Sequence, residues 1–167
     1  MPASPEVMSL WSDPQACAEF ALAGIDPEFA SRTVVAQGGV FVAGENYGRG
    51  SSRGNATLEL AVLGVDSVLA DSFARIHRRN LVDFGVVPLT TRDGPASGFL
   101  PEGDAIAIDG LRDTVETGGS SVSIETAESA TDVALAIADA NREALLAGGR
   151  LGLVSNRVDR VLAVQSG

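Results

Sequence analysis

The sequence predicts a single α/β domain built on a mostly parallel central sheet. Three observations carry this. A glycine-bounded apolar run, Gly39–Ala43, leads into a glycine-rich turn and then a helix pattern. Two further short apolar runs follow, each preceded by a helix-like stretch, so the order is β–turn–α–β–α–β. That order implies parallel strands joined by helical crossovers. With 167 residues, no linker-like segment and no internal repeat, one domain spanning 1–167 is expected.

Residues 14–30 contain one or two short helices, with Ala16, Phe20, Leu22, Ala23 and Phe29 apolar and Gly24 and Pro27 as punctuation. Gly39-Val40-Phe41-Val42-Ala43 is a buried strand. The turn Gly44-Glu45-Asn46-Tyr47-Gly48-Arg49-Gly50 comes next, and a helix runs from about Ser52 to Leu63, stopped by Gly64. Ser67–Ala70 is the second strand. Ser72 is placed to cap a short helix whose buried face is Phe73, Ile76, Asn80 and His77, ended by Gly85. Val86–Leu89 is the third strand.

In the second half, Ala105–Ile108 and Ser121–Ile124 form short strands joined through Leu111–Glu116. Thr131–Leu146 is helical, with Val133, Ile137 and Leu145 as its apolar stripe and Gly148-Gly149 as its stop. Asp132, Asp139 and Glu143 then form a solvated helix face. Residues 151–167 mix apolar and charged positions, and the tail beyond Gln165 frays.

Composition narrows the function classes. Hydrophobic residues make up 45% and charged residues 20%, with mean hydropathy +0.17, which excludes a disordered chain. Cys17 is the single cysteine, so neither a disulfide framework nor a metal or cluster site built on several thiolates can come from this chain alone. Apolar runs fall short of a membrane span, and the start of the sequence lacks a secretory pattern; a cytoplasmic location is expected. The net charge of −10 argues against a nucleic-acid or anionic-membrane partner. All 12 basic residues are arginine, and residues 49–79 hold five of them (Arg49, Arg53, Arg75, Arg78, Arg79) against Glu59, Asp66 and Asp71. Such an island of fork-shaped cations suits small carboxylates or phosphates.

The chemistry concentrates at Gly44–Arg53. A strand that feeds a glycine-rich turn into a helix start gathers free backbone N–H groups and the positive end of the helix dipole at one point. Gly48 and Gly50 permit close backbone approach, Ser51 and Ser52 supply hydroxyls, and Arg53 can clamp a carboxylate. The spacing is neither that of a phosphate-binding Walker loop nor that of a dinucleotide fingerprint, and with one histidine a hydrolytic triad is poorly supported. His77 is read as a packing histidine and Cys17 as a buried small hydrophobe.

Two stretches carry a family resemblance. Gly44–Arg53 resembles the Gly-x-Asn-(Phe/Tyr)-Gly-x-Gly-Ser-Ser-Arg signature of the aconitase superfamily's swivel domain. Ser72-Phe73-Ala74-Arg75-Ile76-His77-Arg78-Arg79-Asn80-Leu81, continuing into Gly85–Leu89, resembles its second signature. The segment from Ser12 to Ala30 is similar to the run before the first motif in 3-isopropylmalate dehydratase small subunits. The resemblance implies a swivelling three-layer β/β/α domain, as a small subunit or C-terminal fragment. It implies a hydro-lyase acting on a hydroxy-di- or tricarboxylic acid, active only with a large partner subunit or domain that carries a 4Fe–4S cluster. By the same resemblance Ser51 is the catalytic base, and Ser52, Arg53, Gly50 and Asn46 bind substrate; no metal is held by this chain.

The sequence departs from the family where Gly54-Asn55 replaces the usual Glu-His after the arginine. The family's Asp-His-Ile motif is absent, as though the sequence begins just after it, and by the resemblance a substrate-binding arginine of aconitases falls near Trp11, which favours a substrate with one carboxylate fewer than citrate or with an apolar group there. The altered Gly54-Asn55 pair leaves open a catalytically inactive swivel domain that serves as a binding or regulatory partner.

Overall fold

A computed structural model describes residues 10, 12–36, 38–50, 53–92, 94–98 and 100–165. Five strands, β1 (Gly39–Ala43), β2 (Val65–Ala70), β3 (Val87–Thr90), β4 (Ser121–Glu125) and β5 (Ala130–Leu135), form one sheet in the order β1-β2-β3-β5-β4. β1, β2 and β3 are parallel; β5 runs antiparallel to both β3 and β4, so β5 alone opposes the common direction. The mostly parallel α/β sheet expected from the crossover pattern is therefore present.

The helices are α1 (Pro14–Ala18), α2 (Phe29–Ala36), α3 (Arg53–Val62), α4 (Arg75–Asp83), α5 (Leu111–Thr117), α6 (Arg142–Leu146) and α7 (Arg150–Gln165). Strand register and side-chain alternation sort the core into two faces. Val42, Leu69 and Leu89 are in register and belong to a cluster with Val122, Val133, Val115 of α5 and Leu145 of α6. Phe41 pairs with Val68 and points the other way, into a cluster with Leu60 of α3 and Leu81 of α4. The sheet is thus the middle of three layers. Helices α3 and α4 cover one side; α5, α6 and the segment around Ile106 and Ile108 cover the other. Among the described residues no helix is long and apolar enough to cross a membrane.

The second half differs from the sequence expectation. Thr131–Leu146 is not one helix: β5 occupies its start, a 3₁₀ turn follows at Asp139–Asn141, and α6 takes only the end. Val133, Leu135 and Ile137 alternate with smaller residues, and a half-buried strand uses that period of two; pairing with β4 and β3 overrode alanine's helix propensity. Asp132 accordingly lies on a strand, although it, Asp139 and Glu143 are all exposed. Ala105–Ile108 contributes a single bridge, Ala107 to Glu125, rather than a strand. The Leu111–Glu116 connector is helix α5. The first segment divides into α1, a series of turns, and α2, which begins only at Phe29. Asp13 caps α1 by accepting from the N–H groups of Gln15 and Ala16, each at 3.1 Å.

Helix α4 starts later than the sequence suggests. Its N-cap is Ala74, with no side-chain cap, because the Ser72 hydroxyl is committed to the neighbouring loop. Its buried face is His77, Leu81 and Val82, while Ile76 is 43% exposed. Residues 151–165 form the long α7; Ser166 and Gly167, like residues 1–9 and Trp11, lie outside the described residues.

Candidate active site

The three parallel strands deliver their carboxyl ends to one edge of the sheet, where ligands of open α/β sheets bind. The loop after β1, Gly44–Gly50, is tied to the segment after β2. Tyr47 N–H donates to the Ser72 carbonyl at 2.9 Å, and the Tyr47 carbonyl accepts from Ala74 N–H at 2.8 Å. Asn46 N–H donates to Ser72 Oγ at 2.8 Å. These bonds hold Asn46 in the left-handed region (φ 51°), which asparagine tolerates, and leave it exposed. The segment after β3 joins through Ala96, whose N–H donates to Asp71 Oδ1 at 2.6 Å.

A stack of rings supports this loop from below. Phe29 and Phe41 meet edge to face at 5.5 Å, Phe41 and Tyr47 lie tilted at 5.4 Å, and Tyr47 stands edge-on to His77 at 4.8 Å. Gly48 has φ 90° and passes directly over His77; a Cβ there would overlap the imidazole. The requirement for glycine is therefore both conformational and steric. His77 is 1% exposed, with Nδ1 3.5 Å from Thr57 Oγ1, in agreement with a packing histidine.

Two acids held above their ordinary pKa lie close to each other here, half-buried Tyr47 and buried Glu59. Burial, reinforced by the nearby Glu59 charge, pushes the Tyr47 phenol up to about 12, so it stays protonated at neutral pH. Glu59 on α3 is 3% exposed, and its Oε1 has no hydrogen-bond partner among the described residues; burial pushes its carboxyl up to about 7. The Cys17 thiol is likewise raised, first by burial and then by Glu59 and Asp13. Cys17 is buried as the sequence suggests. Glu59 was not singled out from the sequence, although its place between Leu58 and Leu60 on a core helix was the available signal.

Of the sequence-predicted site residues, Asn46 and Gly50 stand exposed along the loop mouth, and Arg53 is the first residue of α3. Asn46 and Gly50 belong to the loop after β1, and Arg53 to the start of α3. Ser51, Ser52 and the Arg53 side chain lie outside the described residues. The donor set does not suit an iron–sulfur cluster, which is held by several cysteine thiolates: this chain has one cysteine, and it is buried in α1. Among the described residues no group of three histidine, cysteine, aspartate or glutamate side chains is arranged to hold a metal ion.

Residues 27–94, which contain the loop, both crossovers and all three parallel strands, match the family model for the aconitase C-terminal domain. Over 98 residues, 59% of this chain, the protein is 41% identical to a 3-isopropylmalate dehydratase small subunit from Halothermothrix orenii, and that stretch spans 57% of the relative. It is 39% identical over 98 residues to a methanogen homoaconitase small subunit from Methanocaldococcus jannaschii, spanning 54% of that relative. The chain thus spans little more than half the length of these two. A small subunit of 3-isopropylmalate dehydratase from Pyrobaculum calidifontis matches further, 36% identical over 148 residues, covering 89% of this chain and 84% of the relative. The fold agrees with the crystal structure of 3-isopropylmalate dehydratase (LeuD) from Methanocaldococcus jannaschii, with a TM-score of 0.66 and 30% identity over 93% of this chain and 83% of that one. The chain belongs to the 3-isopropylmalate dehydratase small-subunit family of the aconitase superfamily.

Proposed function

We propose that this protein is the swivel component of an aconitase-type hydro-lyase that dehydrates and rehydrates a hydroxy-di- or tricarboxylic acid in the cytoplasm. The observation that carries the reading is the Gly44–Gly50 loop, pinned at the carboxyl edge of the sheet and running into the positive end of α3 at Arg53. In this reading Arg53 grips a substrate carboxylate in a two-pronged pair, with Asn46, Gly50 and Ser52 completing the cradle. Ser51 Oγ takes the proton from the carbon next to that carboxylate. A serine alkoxide is costly in water; in this reading backbone N–H donors, the helix dipole and the Arg53 guanidinium lower that cost. With a single cysteine, this chain leaves the 4Fe–4S cluster, and the departure of the hydroxyl, to a large partner subunit. By the family resemblance a substrate-binding arginine of aconitases falls near Trp11 in the sequence, which favours a substrate with one carboxylate fewer than citrate, or with an apolar group in its place.

The test is reconstitution with a cluster-bearing large subunit, followed in the ultraviolet through the carbon–carbon double bond conjugated to a carboxylate. The paired wild-type protein turns over. Ser51→Ala binds the large subunit equally well but loses about 10²–10⁴-fold in kcat, the usual share of a general base. A fully active Ser51→Ala removes Ser51 as base. A wild-type pair that assembles without turnover favours the inactive binding partner suggested by Gly54-Asn55.

A further inference from the structure

A second concentration of cations lies on α4, whose lining of a concavity includes no residue of the loop. Arg75, Arg78 and Arg79 occupy α4 with Val82 at spacing i, i+3, i+4 and i+7, a single stripe of the helix turned away from buried His77. Together with Asn141 and an apolar floor that includes Val82 and Ala136, they line a concavity of about 170 Å³ between α4 and the segment leading into α6.

Its charge is not neutralised within the described structure. Arg79 comes only to 3.8 Å of Asp83, whose other oxygen is taken by Arg150 at 2.9 Å. Neither Arg75 nor Arg78 has a carboxylate within 4.0 Å among the described residues, whereas Arg142, Arg150 and Arg157 each hold one and Arg32 holds two. The arrangement is also unfavourable for the helix itself. Like charges at these spacings repel, and Arg75 and Arg78 sit in the first turn of α4, where the dipole disfavours cations and no acid compensates. In a chain of net charge −10, three arginines lining one concavity with a partly apolar floor supply the fork-shaped donors that suit an anion. The concavity is smaller than the roughly 300–1,000 Å³ of pockets for larger organic ligands.

We propose that this arginine-lined concavity binds a compact dianion, a phosphoryl group or a small dicarboxylate, at a site separate from the Gly44–Gly50 loop. The proposal rests on no step of the hydro-lyase reaction and stands or falls apart from it.

Calorimetric titration with inorganic phosphate and, in parallel, malonate, at constant ionic strength in chloride, tests it. The wild-type protein binds at least one of the two. The Arg75→Gln/Arg78→Gln double variant binds it at least tenfold more weakly, Arg78→Gln alone is intermediate, and Arg112→Gln on α5 binds as wild type. All three substituted side chains are exposed, so thermal transitions in chloride check that the folds are equivalent. Phosphate alone identifies the phosphoryl class, malonate alone the dicarboxylate class, and both the shared dianion chemistry. Failure of both to bind overturns the proposal. So does binding that survives in the double variant, which would place the anion elsewhere, for instance at Arg53.

Discussion

At the scale of single residues, the loop depends on what lies beneath Gly48. Gly48→Ala places a methyl group into the His77 ring at a φ that side chains resist, a cost of about 3 kcal/mol from overpacking and backbone strain together. Because the collision is with one ring, shrinking that ring relieves part of it. In a urea-unfolding double-mutant cycle, Gly48→Ala and His77→Ala should couple favourably by more than about 1 kcal/mol. Additive losses would mean the loop moves away from His77 at no cost. His77 illustrates how far sequence reaches at this scale. Its packing role was legible from a helix context and from the lack of partners for a triad; the ring it supports, and the glycine that covers it, were not, because they lie 29 residues apart in the chain and meet only through the loop's bonds to Ser72 and Ala74.

At the scale of elements, two helices carry tests. Helix α3 buries Glu59. Its folded carboxyl, at about 7, lies above the ordinary value of 4.5, so the folded state holds the proton more tightly than the unfolded chain. Its contribution is fully present below about pH 4.5 and is lost as pH rises through about 7, a change on the order of 3 kcal/mol. Glu59→Gln keeps the shape without titrating; its stability relative to wild type should therefore rise between pH 5 and 8, in chemical unfolding across that range. A parallel pair of pH profiles would remove Glu59 as the cause. Helix α5 ends against Arg142, whose guanidinium donates to the carbonyls of Thr114, Val115, Gly118 and Gly119 at 2.9–3.4 Å and pairs with Asp139 at 2.9 Å. Arg142→Ala should cost about 2 kcal/mol, and Arg142→Lys should recover only part of it, because a point charge cannot serve four carbonyls at once. A loss below a few tenths in thermal unfolding would show the latch to be idle. The latch role of Arg142 is not legible in the sequence, because its partners come from an element there taken for a connector.

At the scale of the whole molecule, charge sets the choice of partner. The arginine island on residues 49–79 is local, and the remaining surface is acidic. Phosphate-backbone binding requires an extended basic face, so a labelled RNA should show no anisotropy change with this protein at 50 mM salt; a salt-dependent rise would revive a nucleic-acid role. The second half of the fold matters here too. β5 enters antiparallel between β3 and β4, closes the far side of the sheet with α5 and α6, and sets Ala136 and Asn141 opposite the arginines of α4. The concavity is thus a product of topology rather than of any one segment.

The amino-acid order alone determined the parallel half and the site loop. Continuous apolar runs, glycines at the strand-to-helix junctions and a motif confined to ten residues are all local, and local patterns survive without knowledge of the rest of the chain. Only the tertiary structure decided that residues 130–135 are a strand, that His77 lies under Gly48, and that Glu59 is stranded in the core. An alanine-rich stretch satisfies helix and strand patterns alike, and the choice falls to whichever neighbour offers hydrogen bonds and apolar cover; β3 and β4 offered both.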